Sequence, residues 1–144
     1  MKHKGAIMEY SKERMDDLMR AYDEYISSCD YIRMSEVYKI IVNMPSRRFW
    51  VSDIRAALII SAMMRGKTDL STMCPLKKEM YEEIYNRVFK LQEECPELTI
   101  SELCAKVIAQ PAPKFYLTPG NAKVMVCKAR KQWIQEKWKR LRLL

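Results

Sequence analysis

The chain contains one pattern of residues twice, and this duplication constrains its fold more than any other feature. Residues 35–52 read SEVYKIIVNMPSRRFWVS and residues 101–118 read SELCAKVIAQPAPKFYLT, and the two segments align without a gap at an offset of 66. Four positions are identical and seven more are conservative pairs. Two unrelated amphipathic helices would not share so much, so we interpret the pattern as an internal repeat.

Each copy lies within the same predicted order of elements, which is a long helix, a short helix, an extended aromatic segment and a third helix. Apolar residues recur at spacings of three and four over residues 11–28 and again over 76–94, as in amphipathic helices. Pro45 and Pro111 end the short helices, because proline disfavours helical geometry in the residue before it. Ser52 and Thr118 are the predicted N-caps of the third helices.

These elements predict an all-α protein of two tandem three-helix units. Because three helices in about 60 residues barely form an independent core, we expect the units to pack together. The two extended segments are expected to pair as a minimal β ribbon. The predicted division is a flexible N-terminus at 1–10, a first repeat at 11–66, a linker at 67–76 and a second repeat at 77–144.

Local details of the two copies lead to further expectations. Residues 99–102 form a T-x-x-E capping box, which the first copy lacks because Arg33 replaces the threonine. The third helix of the first copy is apolar nearly all round, which predicts burial on more than one side and suits a packing or dimerisation element. The charged side of the first helix is expected to face solvent; it carries Glu13, Asp16, Asp17, Arg20, Asp23 and Glu24.

The composition indicates no enzyme, metal site or membrane span. The chain has five cysteines and one histidine, with no clustered Cys and His at zinc-ligand spacing. We find neither a glycine-rich phosphate loop nor a nucleophile–histidine arrangement, and we expect no cofactor or small-molecule substrate. Free thiols and the lack of a signal or long apolar segment favour a cytoplasmic protein.

The positive charge is concentrated in the last part of the chain. The formal net charge is +8, yet residues 103–144 hold ten Lys and Arg against a single acid, Glu136. A localised positive field attracts polyanions, of which nucleic acid is the commonest. A solvated cationic surface without a partner is the alternative.

Two segments resemble the helices of helix-turn-helix DNA-binding modules. Residues 98–109 (LTISELCAKVIA) look like a supporting helix, and residues 118–133 (TPGNAKVMVCKARKQW) look like a recognition helix. Tandem three-helix units also resemble Myb-like proteins. The connector at 111–117 is longer than the usual turn of three or four residues, so an elongated variant is expected.

The resemblance implies that side chains near the start of the last helix face base edges and that later cations contact phosphates. Cations beside aromatic residues in the extended segments add phosphate and base contacts, whereas the phenylalanines there are expected to pack inward and Trp50 and Tyr116 outward. The predicted nucleic-acid-binding residues are Asn121, Lys123, Lys128, Arg130, Lys131, Arg47, Arg48 and Lys114.

The end of the chain is a basic helix that also contains two tryptophans. Its predicted partner-binding residues are Trp133, Trp138 and Arg140, and docking on the protein's own core is the default expectation because tryptophan favours burial. The leading hypothesis is a DNA-binding accessory or regulatory protein, such as a transcription regulator, from a bacterium, phage or mobile element. The alternative is a non-enzymatic interaction or assembly module, and a homodimer is left open.

Overall fold

Six helices make up the fold in the computed structural model, which describes residues 4–67 and 72–142. The prediction of an all-α fold is confirmed. The helices are α1 (Lys4–Ser28), α2 (Met34–Ile41), α3 (Asp53–Met64), α4 (Pro75–Glu94), α5 (Ile100–Ile108) and α6 (Pro119–Arg142). α1 begins well before the expected start near Ser11. Residues 1–3 of the predicted flexible N-terminus and 68–71 of the predicted linker lie outside the described residues.

The offset of 66 also relates the bounds of the helices. The ends of α1 and α4, the starts of α2 and α5, and the starts of α3 and α6 each differ by 66 residues. The local signals act where they were expected: the Ser52 side chain accepts a hydrogen bond from the Arg55 amide, and Thr99 and Glu102 form a complete capping box. Arg33 provides no side-chain cap to α2.

One compact unit, the continuous unit, is formed by Pro45–Tyr116 and contains α3, α4 and α5, which pack on one another. Its core includes Ile60 of α3, Ile84 of α4 and Leu103 of α5, all fully buried. Phe49 completes this core from the segment before α3 and is also fully buried. Each such aliphatic or aromatic side chain contributes about 1.5–3 kcal/mol through burial.

The other compact unit, the split unit, is formed by the described residues up to Met44 and from Leu117 onward, so it contains α1, α2 and α6. These three helices also pack on one another. Leu18 of α1, Val37 of α2 and Val126 of α6 are fully buried. Leu18, Val37 and Val126 are the repeat equivalents of Ile84, Leu103 and Ile60 in the continuous unit.

The third helices are therefore exchanged relative to the order of the repeats. α3 follows the first long and short helices in the chain but packs with the second pair, whereas α6 packs with the first pair. The division into tandem repeats at 11–66 and 77–144 describes the sequence only, and it stays a prediction. In space, each three-helix unit combines two helices of one repeat with the third helix of the other.

The extended segments meet within the continuous unit at a single antiparallel bridge between Ser46 and Ala112. Each of these two residues donates its amide to the carbonyl of the other, and both N···O distances are 3.1 Å. The pair is repeat-equivalent, since its members are 66 residues apart. Across the described residues this bridge is the only β pairing, so the expected ribbon consists of a single bridged residue pair.

Two expectations about burial are wrong. Asp17, expected on a solvent-facing side of α1, is fully buried and accepts two hydrogen bonds from the Arg20 guanidinium, at 2.9 and 2.7 Å. α3 is not buried on more than one side, because Ile54 is 65% exposed and Leu58 is 62% exposed. The apolar side chains of α3 outnumber the positions that the α4–α5 pair covers, and this pair lies on one side of the helix.

Candidate nucleic-acid interface

Residues at the start of α6 fix its first turn. The Thr118 hydroxyl accepts a hydrogen bond from the Asn121 amide at 3.1 Å, and the Thr118 carbonyl accepts one from the Ala122 amide at 3.0 Å. Pro119 occupies the first helical position, where a missing amide hydrogen costs nothing. The expected cap is thus present, and it leaves the Asn121 side chain exposed on the first turn.

Only the first part of α6 is packed against its unit. Ala122 and Val126 are fully buried, whereas every residue from Lys131 to Arg142 is exposed. Trp133 and Trp138 are 58% and 60% exposed. The expectation that these tryptophans dock on the protein's own core is therefore wrong, since the packed part of the helix ends before them.

A face that carries four cations and no acid runs along α6. Successive helical residues are rotated by about 100°, so positions seven and ten or eleven apart lie on one side of the helix. This basic face consists of Asn121, Lys128, Lys131, Gln135, Lys139 and Arg142, all exposed, and the exposed apolar side chain of Val124 lies among them. Glu136, the one acid of α6, is rotated about 100° away from the centre of this face.

The other two predicted α6 residues lie on a different side of the helix. Lys123 and Arg130 are seven residues apart and share a side, but that side is rotated by about 120–140° from the centre of the basic face. The Arg130 guanidinium donates a hydrogen bond to the Tyr22 hydroxyl of α1 at 3.5 Å, so it also supports packing of the split unit. The five predicted residues of α6 therefore do not form one surface.

No cation of the basic face is neutralised within the described parts of the chain. The salt bridges there join Arg20 to Asp17 and Glu24, Arg87 to Glu83, and Lys114 to Glu79. None of them involves α6. Within residues 4–67 and 72–142, the positive field of the basic face is thus directed at solvent rather than at an internal partner.

The three predicted cations of the extended segments lie in the continuous unit. Arg48 donates to the Phe49 and Val51 carbonyls at 3.1 and 3.0 Å, and its guanidinium lies 5.1 Å from the Trp50 ring centroid. Lys114 forms an ion pair with Glu79. Arg47 is exposed. Structural roles in the continuous unit account for Arg48 and Lys114 without a ligand.

The aromatic residues of these segments are less open than expected. Phe49 and Phe115 are buried, which confirms that they pack inward. Trp50 and Tyr116 are half-buried, and Tyr116 stacks on Phe49 with ring centroids 6.1 Å apart. Burial raises the pKa of Tyr116 to about 12, with the Glu83 and Glu79 carboxylates adding to the rise. Its backbone φ of 56° is positive, which is rare for a residue with a side chain.

The pairing expected from the helix-turn-helix resemblance is not formed within either unit. α5, the expected supporting helix, packs with α3 and α4, whereas α6, the expected recognition helix, packs with α1 and α2. The physical reason is the exchange of third helices. Within the split unit, the short helix packed against α6 is α2, which belongs to the first repeat.

Sequence reasoning missed Gln135, Lys139 and Arg142 as members of the basic face. Their spacing from Lys128 and Lys131 follows the helical period, so the sequence alone was sufficient to predict that they lie on the same face. The predicted partner-binding residues are also divided, since Trp133 and Arg140 share one side of α6 and Trp138 lies on another.

None of the helices in the described parts of the chain is long and apolar enough to cross a membrane. No family model, curated protein or solved structure matches the chain.

Proposed function

We propose that the protein binds duplex DNA through the basic face of α6, as an accessory or regulatory DNA-binding protein. The observation that carries the proposal is the length of this face together with its lack of acidic residues. From Asn121 to Arg142 it extends over about 30 Å at 1.5 Å per residue, with four cations and no acid. Phosphate groups along DNA provide complementary charge at every step of the duplex.

The outer part of α6, residues 131–142, is exposed, and this exposure suits a helix that enters a groove. The major groove of B-DNA is about 12 Å wide and admits an α-helix whose sides are not covered by protein. In such a pose the cations of the basic face contact phosphates, which supplies affinity and register. We expect Asn121, which is exposed on the first turn, to contact a base edge, since asparagine pairs bidentately with adenine.

The test is a fluorescence-anisotropy titration of a labelled random-sequence duplex at several salt concentrations. The double variant Lys128→Ala and Lys131→Ala is expected to weaken binding and to lower the slope of log K against log salt by about 2, since each lost phosphate contact removes about 0.9. The matched control is Lys90→Ala with Lys106→Ala, which removes the same charge from exposed positions of the continuous unit.

Two results would count against DNA binding by this face. One is the absence of detectable binding at low salt. The other is an equal loss in the α6 variant and in the control, because that would assign the affinity to net charge rather than to the basic face. Arg130→Ala is measured separately, since its contact with Tyr22 links it to the packing of α1 and α6.

A second candidate function is a non-enzymatic interaction or assembly module, and a specific observation favours it. Large apolar side chains of the outer part of α6 are exposed together with its cations; they are Trp133, Ile134, Trp138 and Leu141. Phosphate contacts alone do not require such side chains. A complex that survives high salt and is insensitive to alanine at Lys128, Arg130 and Lys131 would favour this candidate over DNA binding.

A further inference from the structure

Three of the exposed apolar side chains of α6 form a narrow stripe. Ile134, Trp138 and Leu141 follow the spacing i, i+4, i+7 and therefore lie within about 60° of one another around the helix. They are 45%, 60% and 50% exposed, so nothing in the described chain covers them. We name this stripe the apolar seam. Trp133 lies outside it, and the Lys137 ammonium already lies 5.1 Å from the Trp133 ring centroid.

The apolar seam has the pattern of one strand of a coiled coil. In heptad terms, Ile134 and Leu141 occupy d positions and Trp138 the a position between them. Of the flanking positions, Lys137 at g and Arg142 at e are basic, and Gln135 at e is neutral. Residues at e and g determine which partner helix is accepted, because they face the e and g residues of that partner.

A second copy of the chain does not fit this seam. In a parallel pair, Lys137 of one helix would face Arg142 of the other, and both copies of this contact would be repulsive. Duplex DNA does not fit it either. Phosphates and base edges are mostly polar, and they match the basic face, whose centre is rotated by about 90° from the seam.

We propose that the outer part of α6 binds an acidic amphipathic helix of a partner protein along the apolar seam. The partner supplies leucine-like side chains against Ile134, Trp138 and Leu141, and carboxylates against Lys137 and Arg142. This inference rests on the second candidate function and deepens it, because charge complementarity at the flanks specifies the chemistry of the partner.

The test uses the full chain and three synthetic peptides of three heptads. The first peptide has Leu at a and d and Glu at e and g. The second has the same composition in an order without an apolar stripe, and the third has Lys at e and g. We expect the first peptide to bind at least about tenfold more tightly than either of the others, since it alone offers both an apolar stripe and acidic flanks.

Variants of the chain locate the binding surface. Ile134→Ser is expected to weaken binding of the first peptide by about tenfold or more, through the loss of one buried aliphatic side chain. Leu58→Ser, at a comparably exposed position of α3, is the matched control and is expected to leave binding unchanged. Lys137→Glu and Lys139→Glu change the net charge equally, but only Lys137 flanks the seam, so only the first should weaken peptide binding strongly.

A parallel DNA titration separates this inference from DNA binding. Lys139→Glu should weaken DNA binding more than Lys137→Glu does, which is the reverse of their effects on the peptide. Equal binding of the three peptides, or equal effects of the two lysine variants on the first peptide, would overturn the inference. If the chain binds DNA as expected but does not discriminate between the peptides, the inference of an acidic partner helix is refuted. The proposal of DNA binding by the basic face is then unaffected.

Discussion

Replacing Ile60 by alanine tests the exchange of third helices directly. Ile60 of α3 is fully buried in the core of the continuous unit, among residues of α4 and α5. The change removes three carbon atoms, which is about 2.4 kcal/mol at about 0.8 kcal/mol per buried methylene. The cavity adds to this loss, and core changes of this kind cost about 2–5 kcal/mol. We expect Ile60→Ala to destabilise the continuous unit by about 3 kcal/mol.

Hydrogen exchange followed by mass spectrometry shows which helices lose this stability. A loss of about 3 kcal/mol corresponds to roughly 100-fold faster exchange of the most protected amides. For Ile60→Ala we expect this acceleration in α3, α4 and α5. Leu18→Ala, at a fully buried position of α1, is the mirror variant and should accelerate α1, α2 and α6 instead. Acceleration of α1 and α2 by Ile60→Ala, with α4 and α5 unaffected, would refute the exchanged packing.

Three further predictions concern capping, ionisation and folding. Arg33→Thr creates a T-x-x-E capping box with Glu36, like that at Thr99. It should stabilise the split unit by about 0.5–1 kcal/mol, as measured by urea unfolding. No gain in stability would contradict the role assigned to the cap. Because the pKa of Tyr116 is raised to about 12, its neutral form stabilises the fold fully below about pH 10, and this contribution is lost as the pH rises through 12. Tyr116→Phe should therefore reduce the fall in the free energy of unfolding between about pH 10 and pH 12. An unchanged pH dependence in the variant would contradict this prediction. A chain of residues 45–116 contains all three helices of the continuous unit and should unfold cooperatively on its own, which circular dichroism would test.

Local features of the fold were predictable because their causes lie within a few residues. Ser52, Thr99 and Thr118 each cap a helix through a hydrogen bond to an amide three residues later, and this geometry depends on little else. The inward packing of Phe49 follows in the same way from the alternation of an extended segment.

The exchange of third helices was not predictable from the sequence, because the two segments are similar at equivalent positions. Ile60 and Val126 are repeat-equivalent, so the apolar side of α3 and that of α6 suit either pair of long and short helices. Hydrophobic periodicity identifies which side of a helix is buried but not which neighbour buries it.

For the candidate site, the sequence identified the helix that carries the excess charge but not how the charges divide among its surfaces. The excess of charge after residue 103 drew attention to α6. Arg48 and Lys114 were chosen for the charge beside their aromatic neighbours, yet their contacts to carbonyls and to Glu79 depend on tertiary structure. The exposure of Trp138 is likewise a tertiary property, since it reflects where the packing of the split unit ends.

The Ser46–Ala112 bridge has a consequence for vectorial synthesis. On the ribosome α1 and α2 emerge before the other helices of the described chain, yet their unit lacks a third helix until the packed part of α6 is translated. The continuous unit is complete before that, once Tyr116 has emerged. Closing an unstructured loop of about 70 residues would cost about 4 kcal/mol of chain entropy beyond a constant term. Prior folding of the continuous unit removes most of this cost. The bridge holds the segment that enters this unit next to the segment that leaves it. The earliest-made helices are thus the last to acquire their core.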